Sequence, residues 1–198
     1  MRLPDETADA DLMQRTAAGD REAFATLYRR HSATVYRFAR LMTGCTAAAE
    51  DIVQEAFLSL MRDAARYDPR RASLSTYLYG VARYQTRQRL RRDRRFVTFT
   101  AGAVERLVTA DDAAAGRAME RQDELSRLRG AILALPSRYR EAIVLCDLQD
   151  VSYADAAATL GCAVGTVRSR LHRARAMLGE RLRRAAAHAK EPAMRCAV

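Results

Sequence analysis

The sequence has no tryptophan and a single lysine, Lys190. Nine glycines and four prolines in 198 residues are too few for a turn-rich sandwich or barrel. β-Branched residues are sparse while Ala and Arg abound, which favours helix. No run of 18 apolar residues occurs, so nothing is expected to insert in a membrane. The opening Met1-Arg2-Leu3-Pro4-Asp5 has no apolar h-region, so no secretory signal is expected either. The four cysteines, Cys45, Cys146, Cys162 and Cys196, form no CxxC pair, and none of the three histidines makes a metal pair. Free thiols in a reducing cytoplasm follow, with Cys45, Cys146 and Cys162 expected to act as small apolar residues. Neither GxxxxGK[ST] nor HxE…CxxC is present. No catalytic residue, metal or cofactor is therefore expected.

What the sequence does have is arginine. The net charge is +10, and 33 of the 34 basic residues are Arg. They are unevenly placed: residues 83–95 and residues 168–184 each carry a net +6, and the rest of the chain totals −2. A charge that served solubility alone would be spread. Two separated basic blocks suit two contacts with a polyanion, of which nucleic acid is the commonest.

Apolar periodicity places helices along most of the chain, an all-α architecture. A helical pattern begins near Asp11 and is punctuated at Gly19-Asp20, where Asp20 suits an N-cap. Phe24, Leu27, Tyr28, Val35, Phe38, Ala39 and Met42 then recur at helical spacing up to Gly44. Thr46 suits the cap of the next helix, which carries Ile52, Val53, Ala56, Phe57 and Leu60 on one side. A loop spans 67–73, and a helix from about Leu74 to Arg95 starts apolar and ends basic. Residues 96–126 are weakly patterned with a net charge of −3, which predicts a flexible linker. Helical periodicity resumes at 127–134 and after Pro136. Ser152-Tyr153-Ala154-Asp155 resembles a capping box with Asp in place of Glu. Gly161 ends that helix, and a last one runs from about Gly165 to Arg184. The predicted organisation is two helical modules, 11–95 and 127–184, with linker 96–126 between them and a tail, 185–198.

A short capped helix, a tight turn at Leu160-Gly161-Cys162-Ala163 and a basic helix make a helix-turn-helix pattern. At about 100° per residue, Val167, Leu171, Ala174 and Leu178 share one stripe, while Arg168, Ser169, His172 and Arg173 share the opposite arc. Arg can fork onto guanine, and Ser and His read more permissively. Arg170 and Arg175 flank the arc and suit phosphates. The strings Leu135-Pro136-Ser137-Arg138-Tyr139-Arg140-Glu141, Val151-Ser152-Tyr153 and Gly165-Thr166-Val167-Arg168-Ser169-Arg170-Leu171-His172-Arg173-Ala174-Arg175 resemble region 4 of the extracytoplasmic-function sigma factors, of the sigma-70 family. The resemblance implies a module that binds the −35 promoter element.

In the first module, Asp51, Gln54, Glu55 and Leu58 fall at i, i+3, i+4 and i+7, opposite the apolar side of their helix. An acidic and amide face with one exposed Leu, on a strongly basic chain, suits protein docking rather than DNA. The string Asp51-Ile52-Val53-Gln54-Glu55-Ala56-Phe57 resembles sigma region 2.2, which implies docking onto the β′ subunit of core RNA polymerase. Downstream, Tyr77, Tyr79 and Tyr84 interleave with Arg83, Arg87, Arg91 and Arg92. Aromatics stack on unpaired bases while Arg tracks the backbone. Tyr77 and Tyr84, seven apart, also have the spacing of core residues. A duplex opener must hold an extruded base, and the loop with Tyr67, Arg70 and Arg71 beside this helix is the natural pocket. The resemblance implies that this stretch melts and reads the −10 element, with Tyr77 and Tyr84 standing where many members carry Trp and Asn.

The resemblance thus implies a cytoplasmic alternative sigma factor, not an enzyme. Its partners would be core polymerase, double-stranded and melted promoter DNA, and an anti-sigma factor. The other reading is a stand-alone helix-turn-helix transcriptional regulator, which would not need the docking face. A linker of about thirty residues spans on the order of 30 Å as a coil, less than the separation of −10 and −35 elements at about 3.4 Å per base pair. The two modules are therefore expected to act independently until a third body holds them.

Overall fold

The computed structural model describes residues 5–97 and 117–190, with side chains for 9–92 and 124–185. The middle of the predicted linker, the end of the tail and Cys196 lie outside the described residues. Among the described residues eight α-helices follow one another: α1 (Asp5–Ala17), α2 (Arg21–Thr43), α3 (Thr46–Asp63), α4 (Leu74–Val97), α5 (Arg117–Leu133), α6 (Ser137–Leu148), α7 (Tyr153–Leu160) and α8 (Val164–Lys190). A short 3₁₀ turn, Ala64–Arg66, follows α3. Among the described residues there is no strand. The first helix begins six residues earlier than its apolar pattern, and α5 already begins within the segment assigned to the linker.

Local chemistry sets most boundaries. Asp20 Oδ1 accepts from the backbone N–H groups of Glu22 and Ala23 at 2.9 and 3.1 Å, and Arg15 holds Oδ2 at 2.7 Å. The backbone donor of Ala23, then Arg15, keep this carboxyl below its usual range, so it caps α2 as an anion. The predicted cap at Thr46 is displaced by one residue. Thr46 is already helical, so Cys45 occupies the N-cap position, and its side chain makes no cap hydrogen bond. Ser152 caps α7 by accepting from Asp155 N–H, and Gly161 ends it at φ 63°. Gly44 closes α2 at φ 74°, and a Cβ there would lie 2.8 Å from Leu133 Cδ1. Conformation and space therefore both call for glycine.

In the first module, α2, α3 and α4 converge on Leu27, Phe38, Met42, Ile52, Phe57, Leu60 and Leu78, all nearly inaccessible. α1 lies across α2 through Leu12 and Met13, and Asp9 reaches both His31 (2.7 Å) and Arg30 (2.9 Å). Burial alone would raise the Asp9 carboxyl, but His31 and then Arg30 outweigh it and hold it below its usual value. In the second module, Ile143 and Leu145 of α6 and Leu160 of α7 meet Val167, Leu171 and Ala174 of α8. This is the apolar stripe that periodicity assigned, with Leu178 half-buried at its end.

The modules do not stand apart. α2 packs on α5 and α6, and α4 packs on α7, so the buried residues of both modules form one continuous cluster. The expectation of independence is thus corrected. Linker length limits how far two modules separate, but it does not oppose their docking on each other.

Candidate nucleic-acid and docking interfaces

On α8, Arg168, Ser169, His172 and Arg173 are exposed, opposite buried Val167, Leu171 and Ala174. The arc is held in shape by its neighbours. The Arg168 guanidinium lies 5.9 Å from the Tyr153 ring centre, and Ser169 Oγ donates to Thr166 O. The guanidinium groups of Arg173 and Arg138 lower the Tyr139 phenol below its ordinary value. The two flanking arginines differ. Arg170 is half-buried, with Nη1 3.8 Å from Cys162 Sγ. Arg175 forks onto Asp147 at 2.7 and 2.8 Å, which ties α8 to α6. That fork raises the affinity of Arg175 for its proton further.

The outward quartet of α3 splits between two grooves. Gln54 and Leu58 face α2 and line an apolar groove of about 830 Å³ together with Phe24, Tyr28, Phe57 and Met61. Leu58, Met61 and Tyr28 are 42, 52 and 44 % exposed, and Tyr28 rests on Phe57 with ring centres 4.8 Å apart. Asp51 and Glu55 face α4 and line a polar groove of about 400 Å³ with Gln85, Gln88, Arg89 and Arg92. Asp51 accepts from Arg89 at 2.8 Å. Tyr28 and Met61 line the apolar groove, and neither was among the docking candidates read from the sequence. Tyr28 shares the helical spacing of the apolar residues of α2, yet it is exposed while Phe24 packs against the core.

The candidate −10 residues also separate. Tyr84 is 61 % exposed, and Arg87, Arg91, Arg70 and Arg71 are exposed. Tyr77 is half-buried: its hydroxyl donates to Asp63 at 3.3 Å and its ring meets Tyr67 edge-on at 6.2 Å. Burial raises the Tyr77 phenol above its usual value. Tyr67 fixes the loop by donating to Ala72 O at 3.1 Å, and Arg70 N–H donates to Asp68 Oδ1, an Asx turn. A groove of about 680 Å³ runs between this loop and α4, with Arg62, Arg71, Tyr77, Tyr84 and Gln85 along it. Arg62 and Gln85 were not among the residues read from sequence. Tyr79 is not a stacking platform: it is 2 % exposed and packs on Phe38 at 5.5 Å. Arg83 turns away from solvent, and its Nε lies 3.1 Å from Glu141 Oε2 of α6.

No helix among the described residues is long and apolar enough to cross a membrane. Residues 27–96 match the model of sigma-70 region 2, and residues 125–178 match that of sigma-70 region 4. The chain is 37 % identical over 179 residues to the extracytoplasmic-function RNA polymerase sigma factor SigM of Mycobacterium tuberculosis, covering 89 % of this chain and 86 % of that one. It is 31 % identical to SigW of Bacillus subtilis over 172 residues, covering 83 % and 91 % respectively. Among solved structures it resembles the sigma factor RpoE of Bartonella quintana in complex with the anti-sigma factor NepR, with TM-score 0.69 and 28 % identity over 81 % of this chain and 96 % of that one. It also resembles CnrH in complex with the cytosolic domain of CnrY, with TM-score 0.66 and 27 % identity over 88 % and 97 %.

Proposed function

We propose a division of labour for a chain that belongs to the extracytoplasmic-function group of the sigma-70 family. It is an alternative sigma factor that directs transcription initiation. The α3 face, with Gln54 and Leu58 in the apolar groove and Asp51 and Glu55 beside it, docks on core polymerase. Apolar area supplies affinity and the acids supply orientation. The α8 arc of Arg168, Ser169, His172 and Arg173 enters the major groove of the −35 element. Tyr84, Arg87 and Arg91 hold the melted −10 strand, the ring by stacking and the guanidinium groups along the backbone. The groove beside the 67–73 loop receives an extruded base. Because the structurally similar sigma factor RpoE is seen bound to the anti-sigma factor NepR, an anti-sigma protein is a partner of this chain too; its place of action is the cytoplasm.

The observation that carries this reading is the α8 arc: four polar side chains exposed directly opposite three buried apolar ones, on the second helix of a capped helix-turn-helix. Transcript sequencing after overexpression, followed by run-off transcription of the promoters found, tests it. Run-off that requires both this protein and core polymerase supports the sigma reading. Promoter occupancy without any need for core supports the stand-alone regulator. Arg168→Ala is expected to remove roughly 1–3 kcal/mol of promoter discrimination. Competition between matched and mismatched −35 duplexes measures it.

A further inference from the structure

Two arginines of α8 are held by their neighbours in different ways. Arg175 is gripped by its N–H edge: Nε and Nη2 fork onto Asp147 at 2.8 and 2.7 Å. The fork occupies donors that a phosphate would otherwise receive. Arg168, seven residues earlier, is held by a ring instead. Its guanidinium lies 5.9 Å from the ring centre of Tyr153, the first residue of α7. An aromatic ring attracts a cation through its π face and accepts no strong hydrogen bond. The donors of Arg168 therefore stay free for a base edge.

The ring is itself anchored. Ser152 Oγ accepts from Asp155 N–H at 3.1 Å and caps α7, so the backbone that carries Tyr153 is fixed at the helix start. Residues 168 and 175 stand two turns apart on one side of α8, about 10 Å along its axis, and the Tyr153 side chain is near both. Its phenol is close enough to Arg175 to add to the pull of Asp147 on the Arg175 proton. With Arg175 tied to Asp147, the ring is left to Arg168. Tyr153 is also 39 % exposed, so the contact lies at the surface from which the arc reads rather than in the core.

We propose that Tyr153 is a positioning residue of the −35 reader, whose ring holds the Arg168 guanidinium in place for a base edge. An unrestrained arginine gives up most of its side-chain freedom when it forks onto guanine. The ring takes part of that loss before DNA arrives, and it does so without using a donor. A carboxylate at the same place would hold Arg168 more firmly and silence it, as Asp147 does Arg175. The base pair read by Arg168 is thus discriminated by two residues, of which one supplies the hydrogen bonds and the other their aim. This rests on the reading of α8 as the −35 reader.

The test uses the full chain bound to core polymerase. Competition binding compares duplexes of one promoter, found by transcript sequencing, that differ at single −35 base pairs. Arg168→Ala first locates the pair that Arg168 reads. Tyr153→Ala and Tyr153→Leu are each expected to cut discrimination at that pair about threefold and to leave the other pairs as in the parent. Tyr153→Phe keeps the π face and should keep the discrimination. Added to Arg168→Ala, Tyr153→Ala should cost nothing further at that pair. An equal loss in Tyr153→Phe and Tyr153→Ala assigns the effect to the hydroxyl and overturns the proposal. A uniform loss over all duplexes makes Tyr153 a backbone contact and overturns it too, as does a loss that adds to that of Arg168→Ala. If Arg168→Ala leaves discrimination at every pair intact, the reading of α8 fails, and the proposal with it. Where Tyr153→Ala loses helical circular dichroism, the comparison of Tyr153→Phe with Tyr153→Leu carries the test: equal discrimination in the two overturns the role of the ring.

Discussion

Two neighbouring helices of the first module meet the rest of the molecule in opposite ways. The outer face of α3 is open: Leu58 and Met61 stand in solvent beside a groove that no other part of the described chain enters. The corresponding face of α4 is half taken, with Tyr84 outside, Arg83 folded onto Glu141 and α7 along the groove. The periodicity of both helices is ordinary, so the difference lies in what packs on them. The exposed surface of each helix is therefore set by its neighbours and not by its own pattern.

That contrast is open to attack from either side. The largest effect is expected at the open face. Leu58→Asp places a charge in the centre of the apolar groove and should weaken core-polymerase binding by about 2 kcal/mol, roughly thirtyfold. Its thermal melt should stay within a degree or two of the parent, since Leu58 is exposed. A comparable loss in melting temperature would place Leu58 in the fold rather than the interface. Next is the corner at which the first module meets α5. Gly44→Ala imposes a left-handed conformation on a Cβ that must also displace Leu133. The expected cost is about 1–2 kcal/mol in urea unfolding, with polymerase affinity spared once the protein is folded.

The smallest and most gradual effect is alkaline. Burial raises the Tyr79 phenol to about 12, and Tyr79 sits where α4 meets the second module. The unfolded chain loses this proton near pH 10 and the folded chain keeps it, so folding binds the proton more tightly. Its contribution is complete below pH 10 and is lost as pH rises from about 10 to 12. Near-ultraviolet absorbance of tyrosinate, followed alongside scattering, should show the Tyr79 step coincide with parting of the modules. Tyr79→Phe should remove that step. Parting of the modules well below pH 10 would assign the seam to other groups.

Much of this was legible beforehand. Asp20, Ser152 and Gly161 mark their helix ends as expected, because a cap bonds to groups two or three residues away and local sequence contains the whole interaction. The α8 arc was legible for a related reason: a helix with one buried stripe has no choice about where the opposite residues point. The division of the α3 quartet between two grooves was not legible, since spacing gives an angle on the helix but not which neighbour lies beside it. Tyr28 and Tyr79 were misread in opposite directions. A half-apolar ring at helical spacing suits either side of a core boundary, and only the position of α3 against the first and of Phe38 against the second decides.

The sequence by itself determined the helices, their caps, the two basic blocks and the family, since each depends on residues that are neighbours in the chain or one helical turn apart. The tertiary structure alone decided that Arg83 faces Glu141, that Thr76 meets Asp155 and that α7 lies along the groove of α4. Those contacts join polar side chains far apart in sequence, on faces whose composition is that of any solvated surface. No periodicity marks such a pair. It comes into being only when two folded modules exclude water from between them.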